Sequence, residues 1–525
     1  MRRSRRSRRA LLCTLPLLAA CASAGRTEPA PAAAAAGPAF APSVDELRRD
    51  LFAFAADSFR GREAGTPDEL RAARFLAGRL AADGVEPAGD SGYYQRVPLT
   101  RVALAPASRI AVVGGPGART LDIVREVVPF VGEIAPGAPE PRLSAEGPLV
   151  FAGYGVRLPT RQRDDLAGLD LAGKVVVVVN GAPPGADSAT REELEGWDAV
   201  GLRLQGILPR GPAAVVVVLT GKSLGLYDQL APEIGRQLTP RKAGPPRSDA
   251  ERPFPMIVLA RLVPGSPLLP AGWPRDDRPR ALPGRFSARV EVRHEDVTGY
   301  NVVGVVRGAD PVLRDTYVAY GAHFDHIGIQ PPANGDSIAN GADDDGSGSV
   351  GLLALARGYA RGPRPRRSVL FVWHGAEEKG LLGSEYFASH PTVPLQSIVA
   401  QINADMIGRN APDSLFIVGP GAAPEGRSLA LGRLADSVNA SLARPFVFDR
   451  TWDSPTHPEH IYERSDHYSY AKRGVPVVFF TDGDHPDYHK VSDEPGKIDF
   501  AKMARVVELL HRLGWAVATR TAPPR

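Results

Sequence analysis

"TYVAYGAHFDHIG", residues 316–328, joins a short apolar run to two histidines flanking an aspartate. The run "TYVAY" reads as a strand, and "HFDH" falls where that strand ends. Imidazole and carboxylate groups at the edge of a core are costly unless they meet partners. The reading of the chain therefore turns on whether matching acidic groups follow, and they do, in order. "NGADDDGSG" gives Asp343, Asp344 and Asp345; "FVWHGAEEKG" gives His374, Glu377 and Glu378; "QINADMIG" gives Asp405. "DGDHPDYHKVSDEP" adds His485, Tyr488, His489 and Asp493.

Working outward, strand and helix patterns alternate from about residue 286. "RVEVRHEDVTGYNVVGVVRG", a helix over Ser347–Tyr359, "SVLFVWHGAEE", "SIVAQINADMIG", "SLFIVG", "VPVVFFTD" and a closing helix "FAKMARVVELLHRLGWAVATR" predict an α/β domain, a mostly parallel sheet sandwiched by helices. In such a sheet the carboxyl ends of neighbouring strands open on one crevice, so groups spread from 323 to 493 can converge. Singly, each cluster has an ordinary structural reading: a polar residue beside a strand, a helix start, a solvated face. Jointly they would load one cleft with negative charge, for which divalent cations are the usual remedy. Imidazole and carboxylate without thiolate fit zinc, with manganese or cobalt as alternatives, better than calcium or magnesium. Of two adjacent glutamates, one can bind metal while the other takes a proton from metal-bound water, which predicts hydrolysis.

Upstream, "SVDE" from Ser43 forms a capping box ahead of the amphipathic "LRRDLFAFAADSF". Thr66, Pro67 and Glu69 open a second helix that Gly84 ends. Between 146 and 285, "GPLVFAGYGV", "GKVVVVVNG", "GPAAVVVVLTG" and "FPMIVLA" are β-branched runs between Gly/Pro loops, with few helix signals, and read as a compact β-rich domain. "TPRKAGPPRSDAERP" after them reads as a mobile loop. The expected divisions are a leader over 1–21, an Ala/Pro tether over 22–42, a catalytic domain split between 43–145 and 286–525, and the β-rich insert over 146–285.

Gly 55 and Pro 50 make up a fifth of the 525 residues, a turn-rich but globular composition. The net charge of +4 is owed to a leader holding six arginines, "MRRSRRSRR"; without it the balance is about −2, which excludes a basic nucleic-acid binder. The apolar "ALLCTLPLLAA" that follows is too short to span a bilayer and reads as a signal peptide. Its end, Leu18-Ala19-Ala20-Cys21, resembles the bacterial lipobox, which implies a lipid anchor on Cys21 and export to the cell envelope, at the periplasmic face of the outer membrane. The bland alternative is a small-residue signal peptidase site at "ACASA", and "SRRALL" resembles a twin-arginine export signal. Cys13 and Cys21 are the only cysteines, so a mature chain has no internal disulfide and no thiolate metal ligand.

"GAHFDHIG", "GADDDGSG", "GAEEKGLLGS", "NADMIG" and "DYHKVSDEP", in that order, resemble the co-catalytic di-zinc aminopeptidases of metallopeptidase family twenty-eight, relatives of glutamate carboxypeptidase II. The resemblance implies a zinc aminopeptidase-like fold, peptide substrates and two zinc ions. Asp344 would bridge them, His323 and Asp405 would complete one site, and Glu378 and His489 the other. Glu377 would be the general base of a reaction by a metal-bridging hydroxide, Asp325 the partner orienting His323, and Tyr488 a hydrogen-bond donor to the oxyanion. His326, His374 and His485 are expected either to support the metal ligands from behind or to be structural, and Ser465, Asp466 and His467 to be wall or support residues. The β-rich segment resembles a protease-associated domain. Alternatives are a carboxypeptidase of the glutamate carboxypeptidase kind, a glutaminyl cyclase-like enzyme, and an inactive binding module.

Overall fold

The computed structural model describes residues 37–131, 142–158, 162–196, 198–241, 254–421, 426–454, 456–457 and 460–524. The leader, the lipobox and most of the tether lie outside them, as does most of the expected loop at 239–253. Among the described residues no helix is long and apolar enough to cross a membrane.

The central sheet is built from β1 (Tyr94–Leu104), β2 (Gln237–Pro240), β3 (Val292–Val306), β4 (Tyr317–His323), β5 (Ser368–His374), β6 (Ile398–Ala404), β7 (Ser414–Val418), β8 (Val447–Asp449) and β9 (Val477–Thr481). Their order is β2-β1-β3-β5-β4-β6-β9-β7-β8. β5, β4, β6 and β9 run parallel in the middle, whereas β2, β1, β3 and β5 pair antiparallel, as do β9 and β7. The sheet is therefore mixed, with the expected parallel arrangement in its centre and in the edge pair β7 and β8. The reason is the long β3, which forms an eleven-residue antiparallel ladder with β1 instead of a crossover. The four parallel strands are buried throughout, and their apolar runs need cover on both faces.

On one face lie α1 (Val44–Phe54), α2 (Pro67–Ala82), α6 (Gly348–Arg361), α8 (Leu429–Ala440) and α10 (Phe500–Thr519), sharing one core with the sheet. On the other lie α7 (Leu382–Ser389) and α9 (His467–Ala471). The start signals act as read: the Ser43 side chain accepts from Glu46 N–H, and that of Thr66 from Asp68 N–H. Leu47, Leu51 and Phe54, at i, i+4 and i+7, are the buried stripe of α1.

Folding begins earlier than Ser43. Phe40, at the end of the expected tether, stacks on His511 of α10 with ring centroids 4.1 Å apart, and Gly37 packs close to Trp515. One aromatic ring in an Ala/Pro stretch is enough to dock its end.

The second sheet has eight strands, from Arg109–Val113 to Arg280–Arg289. It thus starts well before the boundary expected at 146: the chain leaves the central sheet after Leu104, touches it again at β2, and returns for good at Val292, with Ala105 N–H donating to Glu291 O. It is also less purely β than expected, since α3 (Ser188–Glu195), α4 (Asp198–Ile207) and α5 (Ser223–Glu233) are interleaved with its strands. The runs "VVVVVN" and "AVVVVL" are parallel neighbours buried at every position, and unbroken apolar runs of this kind call for helices on both sides. The helix signals are weak because α4 contains two glycines and α5 carries Pro232 inside it.

Burial, with the charge of Arg512 adding to it, lowers the pKa of His511 to about 4. An unfolded chain then binds the extra proton between about pH 6.5 and 4, so stability is lost as pH falls through that window. At pH 4.5 His511 is expected to cost about 2–3 kcal/mol relative to pH 7. Thermal melts of wild type and His511→Phe at the two pH values check this: the variant should lose less of its melting temperature on acidification.

Candidate metal centre

The site assembles at the carboxyl ends of the parallel strands. His323 ends β4 beside His374, which ends β5, and Asp405 follows β6 directly. After His374 the chain turns through Ala376 at φ 54° and presents Glu377 and Glu378. The acidic triplet opens α6, and its three members face different ways. Asp343 accepts from Gly408 N–H and lies 3.3 Å from His485 Nε2. Asp345 accepts from His323, Gly348 and Met406 N–H, so it ties the ends of β4 and β6 to the start of α6. Asp344, with non-helical φ −99° and ψ 100°, turns its carboxylate into the cleft. Asp493 fixes that turn by accepting from the N–H groups of Asp343 and Asp344.

Asp344 lies between two imidazoles: its Oδ1 is 3.1 Å from His323 Nε2 and its Oδ2 3.1 Å from His489 Nε2. His323 Nε2 is also 3.5 Å from Asp405 Oδ1, and His489 Nε2 is 3.0 Å from Glu378 Oε2. The five residues expected to hold metal are thus gathered around one carboxylate. The side chains of Glu377 and Tyr488 line the same cavity of about 60 Å³, with Met406, Trp452 and Phe479 among its apolar walls. Tyr488 stacks on His489 at 3.9 Å.

Of the two roles open to it, His326 has that of a partner to an expected ligand: its Nδ1 hydrogen-bonds Glu378 Oε1 at 2.6 Å and lies 3.7 Å from Asp344 Oδ2. The signal for it was its three-residue spacing from His323 on one turn, which sequence alone could not distinguish from a surface position. Asp325 does not orient His323 through its carboxylate. His323 Nδ1 meets the main-chain carbonyl of Asp325 at 3.2 Å and its Oδ1 only at 3.9 Å, because that oxygen accepts the Glu377 N–H at 3.0 Å. Around the site, Ser465 Oγ donates to Asp405 Oδ2 at 2.8 Å, and Asp466 faces His374 Nδ1 at 3.2 Å, while His374 Nε2 meets Tyr470 Oη. His467 is buried and stacks on Phe479.

The electrostatics are those of a buried anionic cluster. Burial works against charge on His323 and His489, yet the neighbouring carboxylates, chiefly Asp405 for one and Glu378 for the other, hold both well above the ordinary histidine range. Burial pushes Asp344 up, but His326, His323 and His489 bring it well below the usual aspartate range. Glu378, pushed up by burial and by Asp344, is brought down to about 2 by His489 and His326. Glu377 is raised well above the glutamate range by burial, with Asp405 and Glu378 adding to the effect. Among the described residues no lysine or arginine pairs with Asp344, Glu378 or Asp405; Arg62, the buried cation behind them, gives its three donors to the carbonyls of Phe324, Asn340 and Gly341. Two groups, His323 with Asp344 and Asp405, and His326 with Asp344 and Glu378, each bring their ligand atoms within 4.8 Å of one another. Oxygen and imidazole donors that share one buried carboxylate and lack a cationic partner fit divalent metal.

Residues 301–514 match the model of "Peptidase family M28". This stretch is an M28 domain. The M28 domain contains every residue of the site described above, from His323 to His489. Leucine aminopeptidase 1 of Trichophyton rubrum is 28% identical over 238 residues, a match covering 43% of this chain and 60% of the relative's length. In fold the chain resembles an aminopeptidase from Aneurinibacillus sp. strain AM-1, with a TM-score of 0.56, 18% identity and coverage of 92% and 96% of the two chains. It also resembles a zinc aminopeptidase from Bacillus subtilis, with a TM-score of 0.55, 16% identity and coverage of 90% and 94%. The zinc aminopeptidase-like α/β fold is therefore established for the M28 domain together with the second sheet.

Outer partners of metal ligands set their orientation, and losing one costs about 10- to 100-fold in affinity or activity. Ser465→Ala, which removes the donor to Asp405, is expected to weaken divalent-metal binding by about that factor, measured by competition with a chromophoric chelator. Unchanged affinity would mean that Asp405 needs no such support.

Proposed function

We propose that the chain is a metallo-aminopeptidase, a zinc-dependent exopeptidase that removes the N-terminal residue of peptides. The observation that carries this reading is the sharing of the Asp344 carboxylate by two ligand groups, beside Glu377 in one cavity. The M28 domain and the leucine aminopeptidase relative support the reaction class, and the printed name of the Bacillus subtilis neighbour supports the metal. Two zinc ions are proposed, with Asp344 common to both, His323 and Asp405 completing one site, and Glu378 and His489 the other. Manganese or cobalt could replace zinc on the same donors. When bound, the metal supplies Lewis acidity, acidifying a water and polarising the scissile carbonyl.

The remaining chemistry belongs to the protein. Glu377 faces the cavity, and among the described residues no lysine or arginine pairs with it, so its carboxylate takes the proton of the attacking water and returns it to the leaving amine. Its main-chain N–H is held by Asp325, which fixes the direction of the side chain. The hydrogen bond from His326 holds one oxygen of Glu378, leaving the other turned toward His489. Tyr488, packed flat on His489, offers its hydroxyl to the oxyanion that develops at the carbonyl. The acidic groups around the cavity favour a substrate with a free α-amino group. Export and a lipid anchor on Cys21 belong to the same proposal, supported by the basic and apolar leader and by the Leu18–Cys21 pattern.

Glu377→Gln is expected to keep its zinc and lose about 10²- to 10⁴-fold in kcat on leucyl-nitroanilide, a general-base effect. The N-acetylated substrate should be inert with wild type. Full activity in the variant, or equal cleavage of the acetylated substrate, would overturn the assignment.

A further inference from the structure

The second domain reaches back to the metal-binding loops through the end of α5. One side of this helix is anchored in the core of the second sheet: Tyr227 and Ala231 are buried there, and Tyr227 Oη donates to Val124 O. Its last residue, Glu233, pairs with Lys379 Nζ. Three residues on, Arg236 forms a two-armed contact with Glu63, Nε to Oε1 at 2.8 Å and Nη2 to Oε2 at 2.5 Å. The same guanidinium donates to the carbonyls of Ile327 and Ile329, each at 3.0 Å. Glu63 also lies 3.6 Å from Lys379 Nζ. The chain then runs directly into β2, which pairs with β1 in the central sheet.

What these groups hold matters. Lys379 immediately follows Glu378, and its side chain is only 4% exposed. Ile327 immediately follows His326, and the main chain of Glu63 bridges to that of His326. Gly328 lies so close beneath that an added Cβ would come within 2.7 Å of Glu63 Cβ and 3.0 Å of Arg236 Nη2. A guanidinium that uses its whole fork on one carboxylate and two carbonyls fixes a geometry, which a single charged contact would not do.

We propose that Glu233 and Arg236 are positioning residues for the metal centre, through which the second domain holds the Glu377–Lys379 turn and the Ile327–Ile329 loop in place. The inference rests on the metal-centre reading above. It gives the second domain a part in catalysis without a residue in the cavity: a second domain that shifted relative to the central sheet would loosen Glu378 and His326 together.

The test reads hydrogen exchange of the metal-free full chain by mass spectrometry for wild type, Arg236→Ala, Glu233→Gln, Glu233→Lys alone, and the charge exchange Glu233→Lys with Lys379→Glu. Zinc affinity and the kcat and KM on leucyl-nitroanilide are measured on the same proteins. Arg236→Ala should raise exchange at least about tenfold in peptides covering 324–330 and 374–382 while protection of the strands at 175–180 and 214–219 is kept. It should weaken zinc about 10- to 100-fold and lower kcat more than it alters KM. Glu233→Gln should do the same to a smaller degree, and the charge exchange should recover protection relative to Glu233→Lys alone. If Arg236→Ala loses protection throughout, the volume-conserving Glu233→Gln is judged by the same criterion. Unchanged loop exchange and zinc affinity in Arg236→Ala and Glu233→Gln overturn the proposal. A wild type that binds no zinc overturns the metal reading instead, and the exchange result stands apart from it.

Discussion

A buried carboxylate with an imidazole on each side is the constraint around which this chain is arranged. Asp344 is buried, 3.1 Å from both His323 and His489, in a cleft that also holds Glu377, Glu378 and Asp405. Collecting so much like charge away from water is unfavourable by itself. The fold tolerates it because a rigid frame fixes each group: Asp345 ties the ends of β4 and β6 to the start of α6, Asp493 holds the main chain of the triplet, and Arg62 braces the loops from behind through carbonyls. In the metal-free cluster, protons on the imidazoles do part of the work of a cation, which is why the histidines are raised and Asp344 and Glu378 lowered together.

The parallel centre of the sheet is what allows residues from 323 to 489 to meet. Strands β5, β4, β6 and β9 deliver their carboxyl ends to one edge, and the helices on both faces make those ends rigid. The antiparallel flank serves a different purpose. β1 and β3 bracket the excursion into the second sheet, and β2 interrupts it, returning the chain to the central sheet just after the Glu233 and Arg236 contacts with Lys379 and Glu63.

The centre was legible in the sequence because its residues follow apolar runs at strand ends, where a side chain's direction is nearly dictated by topology. That holds for His323, Glu378 and Asp405, and the ordered set brought Asp344 and His489 with them. What was not legible depended on three-dimensional neighbours. Whether His326 faces the cleft depends on the turn after β4, and whether Asp325 offers its carbonyl or its carboxylate to His323 depends on the competing Glu377 N–H. The start of the second domain was placed too late because Arg109–Val113 and Val127–Pro129 are short strands that join the rest of the sheet through distant partners, Arg285–Arg289 for the first and Val258–Ala260 for the second. Its uninterrupted valine runs did carry a signal for parallel strands under helices, but length alone does not separate that from a buried antiparallel strand. Phe40 shows the same limit in miniature, since a lone ring in a low-complexity stretch docks only because His511 offers a flat partner.

The claim on which the whole account depends is that the cleft holds metal at two places sharing Asp344. Anomalous diffraction at the zinc absorption edge, from crystals of the full chain grown with zinc, addresses it most directly. The account predicts two peaks, one among His323, Asp344 and Asp405 and the other among Asp344, Glu378 and His489. A cleft without a peak, with the imidazoles still bonded to the carboxylates as they are in the metal-free fold, would contradict it.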